Sequence, residues 1–222
     1  MNTSESCDVL LVGNAVEDWI IDGENEPKLS WGGIYNVKRS LERCGIFDIK
    51  IEPTDFGKAY IKLDRENSSK WVHADLSLVK REPKIYDAKW THIAYGNSIS
   101  WYPYFPQKQG VISVDLCNEK DFYSSNHGID YIFCSAEEFY GPSIYCEKET
   151  KVIEHSPKSI TIWQNKKNIY QTELPLPIKG INVLGAGDHF AASFISHKLK
   201  CHDDKESIKF AAINTREWLI SR

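Results

Sequence analysis

The sequence lacks the features that mark membrane and nucleic-acid-binding proteins. None of its apolar runs approaches the roughly 20 residues that a membrane-spanning helix requires. Its Lys and Arg residues are scattered, and the formal net charge of -4 argues against a nucleic-acid surface. The first residues lack the basic start and apolar core of a signal peptide. We therefore expect no membrane partner, no nucleic-acid partner and a cytoplasmic location.

The six cysteines lack the spacing of a metal or redox motif. No two of them form a Cys-x-x-Cys pair, and Cys44 and Cys134 lie in apolar segments, where a free thiol behaves as a small hydrophobic side chain. We expect reduced, structural cysteines, as in cytosolic proteins. The remaining composition is ordinary for a globular protein, with 41% apolar and 26% charged residues, and the length suits a single domain spanning 1–222.

Short apolar segments separated by longer connections predict an α/β fold. The run at 8–13 is typical of a buried strand in a parallel sheet, whereas 14–31 is polar and irregular in pattern. Apolar residues spaced by three and four after Gly32-Gly33 predict a helix that ends near Gly45. Strands that alternate with helical connections indicate a three-layer αβα domain. Further strands are predicted at 90–95, 111–115, 131–134 and 152–153, and a small hairpin at 159–171.

The segment 47–80 changes from helical to strand periodicity. Apolar residues alternate with polar ones at its start, and a polar turn at 64–69 separates two apolar stretches. This pattern predicts an antiparallel hairpin with one wet face, inserted into the α/β domain. The hairpin could be a small β-flap, or lid, over a cleft, or it could simply extend a sheet.

The segment Gly185-Ala186-Gly187-Asp188 combines groups that phosphoryl transfer needs. It follows an apolar stretch at 181–184, interpreted as a strand, and precedes a predicted amphipathic helix; a last helix is predicted at 204–219. Small residues let a ligand approach the backbone, and the N–H groups of a first helical turn attract anions. The carboxylate of Asp188 is suited to accept a proton from a hydroxyl group. Charge stabilisation and a base together favour phosphoryl transfer to an alcohol.

Two other interpretations of this segment stay open at this point. Glycine turns at helix starts are common, so the segment could be purely structural. A dinucleotide-binding turn is disfavoured because Phe190 replaces the third glycine of that fingerprint. The segment also lies near the end of the sequence, whereas the fingerprint belongs to a first strand–helix turn.

The order of motifs along the chain resembles the PfkB/ribokinase-like carbohydrate kinase family, of which this would be a short, divergent member. The run from Asn182 to Phe194 is similar to the family's C-terminal signature. Trp31-Gly32-Gly33-x-x-Asn36 resembles the Gly-Gly helix that lines the sugar site. Three further segments match in order: Val12-Gly13-Asn14 with Asp18, Ser113-Val114-Asp115, and Tyr131 to Glu138.

The resemblance implies a three-layer ribokinase-like domain that uses ATP and Mg²⁺ to phosphorylate a hydroxyl of a sugar or nucleoside. It implies that Asp188 is the catalytic base and that the 47–80 hairpin is a lid, which often builds a homodimer interface in this family. The implied anion hole is Gly185, Ala186 and Gly187; the implied substrate-binding residues are Asp18, Gly32, Gly33 and Asn36; and Glu138 would hold Mg²⁺ through water.

Two departures from the family pattern define the alternative. Ser135 replaces the Asn of the Asn-x-x-Glu segment. The stretch 154–159 contains none of the glycines that the family has in its nucleotide loop, although Lys158 could reach the ATP phosphates as a cation. The alternative is therefore a degenerate member, a pseudokinase that binds a sugar or nucleoside without efficient phosphoryl transfer.

Overall fold

A computed structural model describes residues 5–64, 66–67, 69–77, 83–84, 86–94, 110–116, 128–137, 139, 149–175, 178–201 and 203–222. The elements formed by these residues are β1 (Ser6–Asp22), β2 (Lys28–Gly33), α1 (Ile34–Arg43), β3 (Ile49–Asp64), β4 (Ser69–Ser77), β5 (Asp87–Ala94), β6 (Val111–Asp115), β7 (Tyr131–Ser135), β8 (Lys151–His155), β9 (Ser159–Gln164), β10 (Lys167–Glu173), α2 (Ala186–Lys198) and α3 (Asp204–Ile220).

Internal contacts divide the chain into two compact units. The first unit comprises Met1–Gly13, Asp48–Glu52 and Pro83–Leu176. The second unit comprises Asn14–Phe47, Pro53–Glu82 and Pro177–Arg222. Strands β1 and β3 each contribute residues to both units, whereas all three helices named above belong to the second unit.

The first unit contains a mostly parallel sheet. The start of β1 pairs in parallel with β5, and β5, β6, β7 and β8 follow one another in parallel. Strands β9 and β10 complete it as an antiparallel hairpin. Parallel strands are covered on both faces, which explains their near-continuous apolar runs. This arrangement confirms the predicted α/β class and the hairpin at 159–171; the connections at 95–109, 117–127 and 140–148 lie outside the described residues.

The second unit begins with an antiparallel ribbon of two strands in a segment that the sequence pattern did not identify as strands. Residues 14–31 are not irregular: β1 continues to Asp22 and pairs antiparallel with β2, with Asp18 opposite Ser30 and Val16 opposite Gly32. The prediction was wrong because polar residues such as Asp18 are buried in this ribbon, so the chain shows no alternation of apolar and polar positions. The strand is instead stabilised by its backbone hydrogen bonds to β2.

A long antiparallel hairpin occupies the region predicted to contain one. Strands β3 and β4 pair from Phe56 opposite Ser77 to Asp64 opposite Ser69. Alternate residues of β3 are buried in a small apolar cluster with Val16 and Leu184. The cluster therefore packs β3 beside the residue that precedes Gly185. The buried members that β3 contributes are Ala59, Ile61 and Leu63.

The helices of the second unit pack on one another, with α2 against both α1 and α3. Helix α1 buries one face at the predicted spacing, including Val37 and Leu41, and the predicted last helix is confirmed as α3. Helix α2 is not amphipathic, because every residue from Asp188 to Ser196 is buried. Its small polar side chains find buried partners, as when Ser196 donates to the Cys44 carbonyl oxygen. No helix in the part of the chain described is long and apolar enough to cross a membrane.

Candidate active site

The turn before α2 is built around Gly185. Residues 181–183 have no regular structure, so the strand interpreted there is wrong. The chain instead turns because the Leu184 N–H donates to the Asn182 side-chain oxygen (2.9 Å) and the Ala186 N–H donates to the Val183 carbonyl (3.0 Å). Gly185 then adopts φ of 79°, a left-handed conformation that residues with a β-carbon rarely adopt. The first turn of α2 follows directly.

Asp188 lies in that first turn with only 7% of its surface exposed. A β-carbon built on Gly185 would stand 3.7 Å from Asp188 Oδ2 and 3.6 Å from the Trp218 ring. The Asp188 carboxylate therefore folds back over the glycine turn, next to the indole. Asp188 thus lies in the first turn of α2, directly after Gly185, Ala186 and Gly187.

A second buried carboxylate, that of Asp18, lies on the backbone of Gly32. A β-carbon at Gly32 would overlap both carboxylate oxygens of Asp18, so a side chain at this position would have to displace that carboxylate. Gly33 begins the turn into α1, and a β-carbon there would overlap the Asn14 carbonyl oxygen. The two glycines thus shape the β1–β2 ribbon around Asp18, which is 5% exposed.

Burial, which is the larger cause, and the negative charge of Asp188 together raise the pKa of Asp18 to about 6. The positive charges of Arg39 and Lys70 act in the opposite direction. The two predicted carboxylates are therefore close enough to interact electrostatically. Lys70 belongs to β4, so the hairpin also contributes charge to the surroundings of Asp18.

Asn36 and Arg39 are neighbours on one face of α1. The Arg39 guanidinium donates from Nη2 to Asn36 Oδ1 (2.5 Å) and to the Trp31 carbonyl oxygen (2.5 Å). These bonds orient the Asn36 amide so that its oxygen is occupied. Its NH₂ group makes no hydrogen bond within the part of the chain described, which leaves it able to donate to a ligand.

These residues surround a cavity of about 170 Å³ that lies within the second unit. Three of the predicted site residues line it, and Asp188 lies against one of them, Gly185. Gly32 underlies Asp18, whereas Glu138 lies outside the described residues. The lining residues with chemical functions are Asp18, Asn36, Gly185, Arg39, Arg43 and Arg222.

Sequence reasoning missed the three arginines of this cavity. Arg39 and Arg43 follow Asn36 at three and then four residues, which is the spacing of one helical face, so their position on α1 could have been predicted. Arg222 could not, because it reaches the cavity only through the packing of α3. Its guanidinium donates to the Leu184 carbonyl oxygen (2.6 Å) and lies 4.4 Å from the centre of the Trp218 ring.

Trp218 forms the centre of a stack behind the glycine turn. The imidazole of His189 stacks on its ring at a centroid distance of 4.5 Å, and Arg43 stands 5.9 Å from the same ring. Burial, followed by the charges of Arg43 and Arg222, lowers the pKa of His189 to about 4. His189 is therefore neutral at physiological pH, and it packs beside Asp188 rather than adding charge to the site.

The turn at 154–159 lies in the first unit and connects β8 to β9. Its backbone N–H groups are already used: Lys158 and Ser159 both donate to the Ser156 hydroxyl, at 3.2 Å and 3.0 Å. The Lys158 side chain is exposed. This turn offers fewer free donors to a phosphate than the N-terminus of α2. No group of three or more His, Cys, Asp or Glu residues that could hold a metal occurs in the described portion.

Comparison with solved structures identifies the fold. The chain is similar to a nucleoside kinase from Methanocaldococcus jannaschii, described as an archaeal member of the ribokinase family, at TM-score 0.68 and 15% identity over 98% of this chain and 93% of that one. A ribokinase from Thermotoga maritima matches at TM-score 0.68 and 13% identity, over 97% and 92%. A microbiome-derived acarbose kinase matches at 0.64 and 13%, over 98% and 100%.

The protein therefore has the ribokinase-like α/β fold, and the predicted resemblance is confirmed at the level of the fold. No family model matches the sequence, and no curated protein matches it. The structures that it resembles are kinases, so the fold is a kinase-like one. At identities of 13–15%, the similarity carries no further than the fold.

Proposed function

We propose that this protein is an ATP-dependent kinase that phosphorylates a hydroxyl group of a sugar or related small molecule such as a nucleoside. The observation that carries the proposal is the position of Asp188, a buried carboxylate in the first turn of α2, beside the left-handed Gly185 and next to the cavity. A base adjacent to an anion-binding helix N-terminus is the arrangement that phosphoryl transfer to an alcohol requires.

In this proposal Asp188 accepts the proton of the acceptor hydroxyl as that oxygen bonds to the γ-phosphorus of ATP. The bond from this phosphorus to the β–γ bridging oxygen breaks, and ADP leaves. The backbone of Gly185, Ala186 and Gly187 forms the proposed anion hole. Because the Ala186 N–H donates to the Val183 carbonyl oxygen, the N–H groups of Gly185 and Gly187 are the ones that we assign to the charge on the transferring phosphoryl group. ATP supplies that group, and the helix N-terminus is the described feature that fits a phosphate. Glu138, which lies outside the described residues, is the residue that we propose would hold Mg²⁺ through water.

Acceptor binding is assigned to the opposite wall of the cavity. Asp18 accepts a hydrogen bond from a second hydroxyl of the acceptor, and the Asn36 NH₂ group donates one. Gly32 permits the Asp18 carboxylate to lie in the wall, and Gly33 turns the chain into α1. These bonds would hold the reacting hydroxyl against Asp188, which is the positional contribution to catalysis.

The hairpin formed by β3 and β4 is proposed as the lid. Its strand β3 packs against Leu184, and Lys70 on β4 influences the charge of Asp18, so the hairpin borders the acceptor residues. A lid would exclude water and limit hydrolysis of ATP. The exposed edge and the exposed Trp71 suit a homodimer interface, which we propose as the assembly of this cytoplasmic kinase.

One observation favours the alternative of a pseudokinase that binds its ligand without efficient transfer. The turn at 154–159 has no glycine, and its N–H groups at Lys158 and Ser159 are bonded to Ser156. Binding of the ATP phosphates there would depend on the Lys158 side chain alone. The two functions differ in one measurable respect, which is turnover that depends on Asp188.

The experiment is a screen of sugars and nucleosides with Mg-ATP, comparing the wild type with Asp188→Asn. The variant keeps the shape of the side chain but cannot accept the proton, so we expect turnover to fall by at least 100-fold. Asp48→Asn, which changes an exposed carboxylate, is the matched control and should retain activity. Turnover that survives in Asp188→Asn would exclude the proposed base. Ligand binding without any turnover in the wild type would select the pseudokinase.

A further inference from the structure

The three arginines around the cavity have no role in the function proposed so far. Arg39, Arg43 and Arg222 line the same 170 Å³ space as Asp18 and Asn36. A neutral sugar is bound through hydroxyl groups, for which carboxylate and amide partners suffice. The three guanidinium groups exceed the two carboxylates of the site, Asp18 and Asp188, by one positive charge, and a neutral acceptor does not require this excess.

Arg39 and Arg43 are both exposed, and neither forms a salt bridge in the part of the chain that the structure describes, although the charges of Asp18 and Asp188 act on Arg39. Arg39 uses Nη2 for bonds to Asn36 and the Trp31 carbonyl, both uncharged groups. Arg43 contacts the face of the Trp218 ring. Their remaining N–H groups present the planar donor fork that matches a carboxylate or phosphate in two-point contact.

The positions of Arg39 and Arg43 on α1 place their positive charge beside the residue proposed to bind the acceptor, Asn36. Asn36, Arg39 and Arg43 share one face of the helix, and the bond between Arg39 and Asn36 joins the first arginine to the acceptor-binding amide. The transferring phosphoryl group is assigned to the N-terminus of α2, where the backbone supplies its donors. Arg43 follows Asn36 by seven residues, so an anion held by Arg43 would lie about two helical turns along α1 from the hydroxyl-binding amide.

We infer that the acceptor is a compact hydroxylated molecule that also carries an anionic group, a carboxylate or a phosphate, bound by Arg39 and Arg43. This inference rests on the proposed function, since it names the acceptor class of the same cavity. The cavity volume of about 170 Å³ is below the roughly 300–1,000 Å³ of sites for drug-sized ligands, which agrees with a compact acceptor. Arg222 contributes positive charge and fixes the Leu184 turn.

The test measures binding by calorimetry in the absence of ATP, using matched pairs that differ in charge. Gluconate is compared with glucose as the carboxylate pair, and fructose 6-phosphate with fructose as the phosphate pair. We expect at least one anion to bind ten times or more tightly than its neutral partner, since a charge-assisted bond contributes at least this factor. Preferential binding of gluconate would indicate a sugar acid as the acceptor, and preferential binding of fructose 6-phosphate would indicate a sugar phosphate.

Arg43→Gln should lower the affinity for the anionic member of a pair about tenfold more than the affinity for its neutral partner. Lys209→Gln, which removes one charge from an exposed position on α3, is the matched control and should change neither. Inorganic phosphate and sulfate serve as probes without hydroxyl groups. If they bind as tightly as the hydroxylated anions, the site is a general anion site and the inference is wrong.

The outcomes separate this inference from the kinase proposal. Turnover of neutral sugars that depends on Asp188 and is unaffected by Arg43→Gln would overturn the anionic acceptor and leave the kinase intact. Anion binding that Arg43→Gln weakens, in a protein with no turnover, would retain the inference for a pseudokinase. If Arg43→Gln weakens the binding of ATP and not that of the acceptor, the arginines serve the nucleotide and the inference fails.

Discussion

At the scale of single residues, the site depends on two carboxylates held in different environments. Asp188 lies at a helix N-terminus, whereas Asp18 lies in a strand ribbon, pressed against a glycine. Burial and the charge of Asp188 together bring the pKa of Asp18 to about 6. The protein thus keeps a buried group in its charged form above that pH, at a cost in stability that is typical of functional sites.

The first prediction concerns how the free energy of unfolding depends on pH through the ionisation of Asp18. Because the folded-state pKa of Asp18 lies above its ordinary value of 3.8, the folded protein binds more protons between about pH 4 and 6, and the free energy of unfolding falls as pH rises through that window. Asp18→Asn should therefore stabilise the protein at pH 7 by about 1–3 kcal/mol and have little effect at pH 3.5. Urea unfolding at the two pH values measures both differences.

Asp48→Asn serves as the control for this measurement, since its carboxylate is exposed. Acceptor binding should weaken in Asp18→Asn even though the protein is more stable. A variant that is no more stable than the wild type at pH 7 would show that Asp18 is not a strained carboxylate.

The second prediction concerns the contact between Gly32 and Asp18. Gly32→Ala should displace the Asp18 carboxylate, lower acceptor affinity at least tenfold, and destabilise the fold by about 1–3 kcal/mol. A double-mutant cycle with Asp18→Gly measures how much of this destabilisation comes from the contact between the new β-carbon and the Asp18 carboxylate. If the overlap with the carboxylate is responsible, the destabilisation by Gly32→Ala shrinks when Asp18 is removed, whereas an unchanged cost would point to the backbone instead.

At the scale of elements, helix α2 combines the first turn proposed as catalytic with a fully buried body. Its polar residues are bonded inside the helical cluster: Asn214 donates to the Ser193 hydroxyl at 2.8 Å and lies 3.4 Å from His189 Nε2. Asp203 caps the N-terminus of helix α3, since its side chain accepts a hydrogen bond from the Glu206 N–H at 2.8 Å. The position of the glycine turn is therefore set by how firmly α2 is held between α1 and α3.

The third prediction tests that burial. Phe194 on α2 is fully buried, so Phe194→Ala should lower the free energy of unfolding by about 3–5 kcal/mol, since it leaves a cavity in a packed interior. Phe47→Ala makes the same chemical change at a side chain that is 75% exposed, and it should cost less than about 0.5 kcal/mol. Denaturant unfolding of both variants gives the comparison; equal effects would contradict the buried position of α2.

At the scale of the whole molecule, the two units contain different kinds of secondary structure. The first unit holds the mostly parallel sheet, and the second holds the ribbon, the hairpin and the helices. Each unit has its own apolar cluster, one including Leu10, Val114 and Ile132, the other Val16, Ile61 and Leu184. The described acceptor residues and Asp188 all come from the second unit.

The fourth prediction concerns assembly through the hairpin. Trp71 is 61% exposed on β4, and large exposed aromatic residues on a strand edge favour association with another copy. We expect the wild type to be a dimer by light scattering and Trp71→Glu to be a monomer. Ile213→Glu on α3, at a side chain that is 60% exposed, is the matched control and should remain dimeric. A monomeric wild type would rule out this assembly.

The sequence by itself determined the local elements and the order of the motifs. Strand β6, helix α1 and the Gly185 turn could be predicted because apolar spacing and glycine conformation depend on neighbouring residues. The ribbon at 14–31, the burial of α2 and the convergence of Arg39, Arg43 and Arg222 were decided only by tertiary structure. Contacts between distant segments set these features, such as the bond from Arg222 to Leu184, and no local pattern records them.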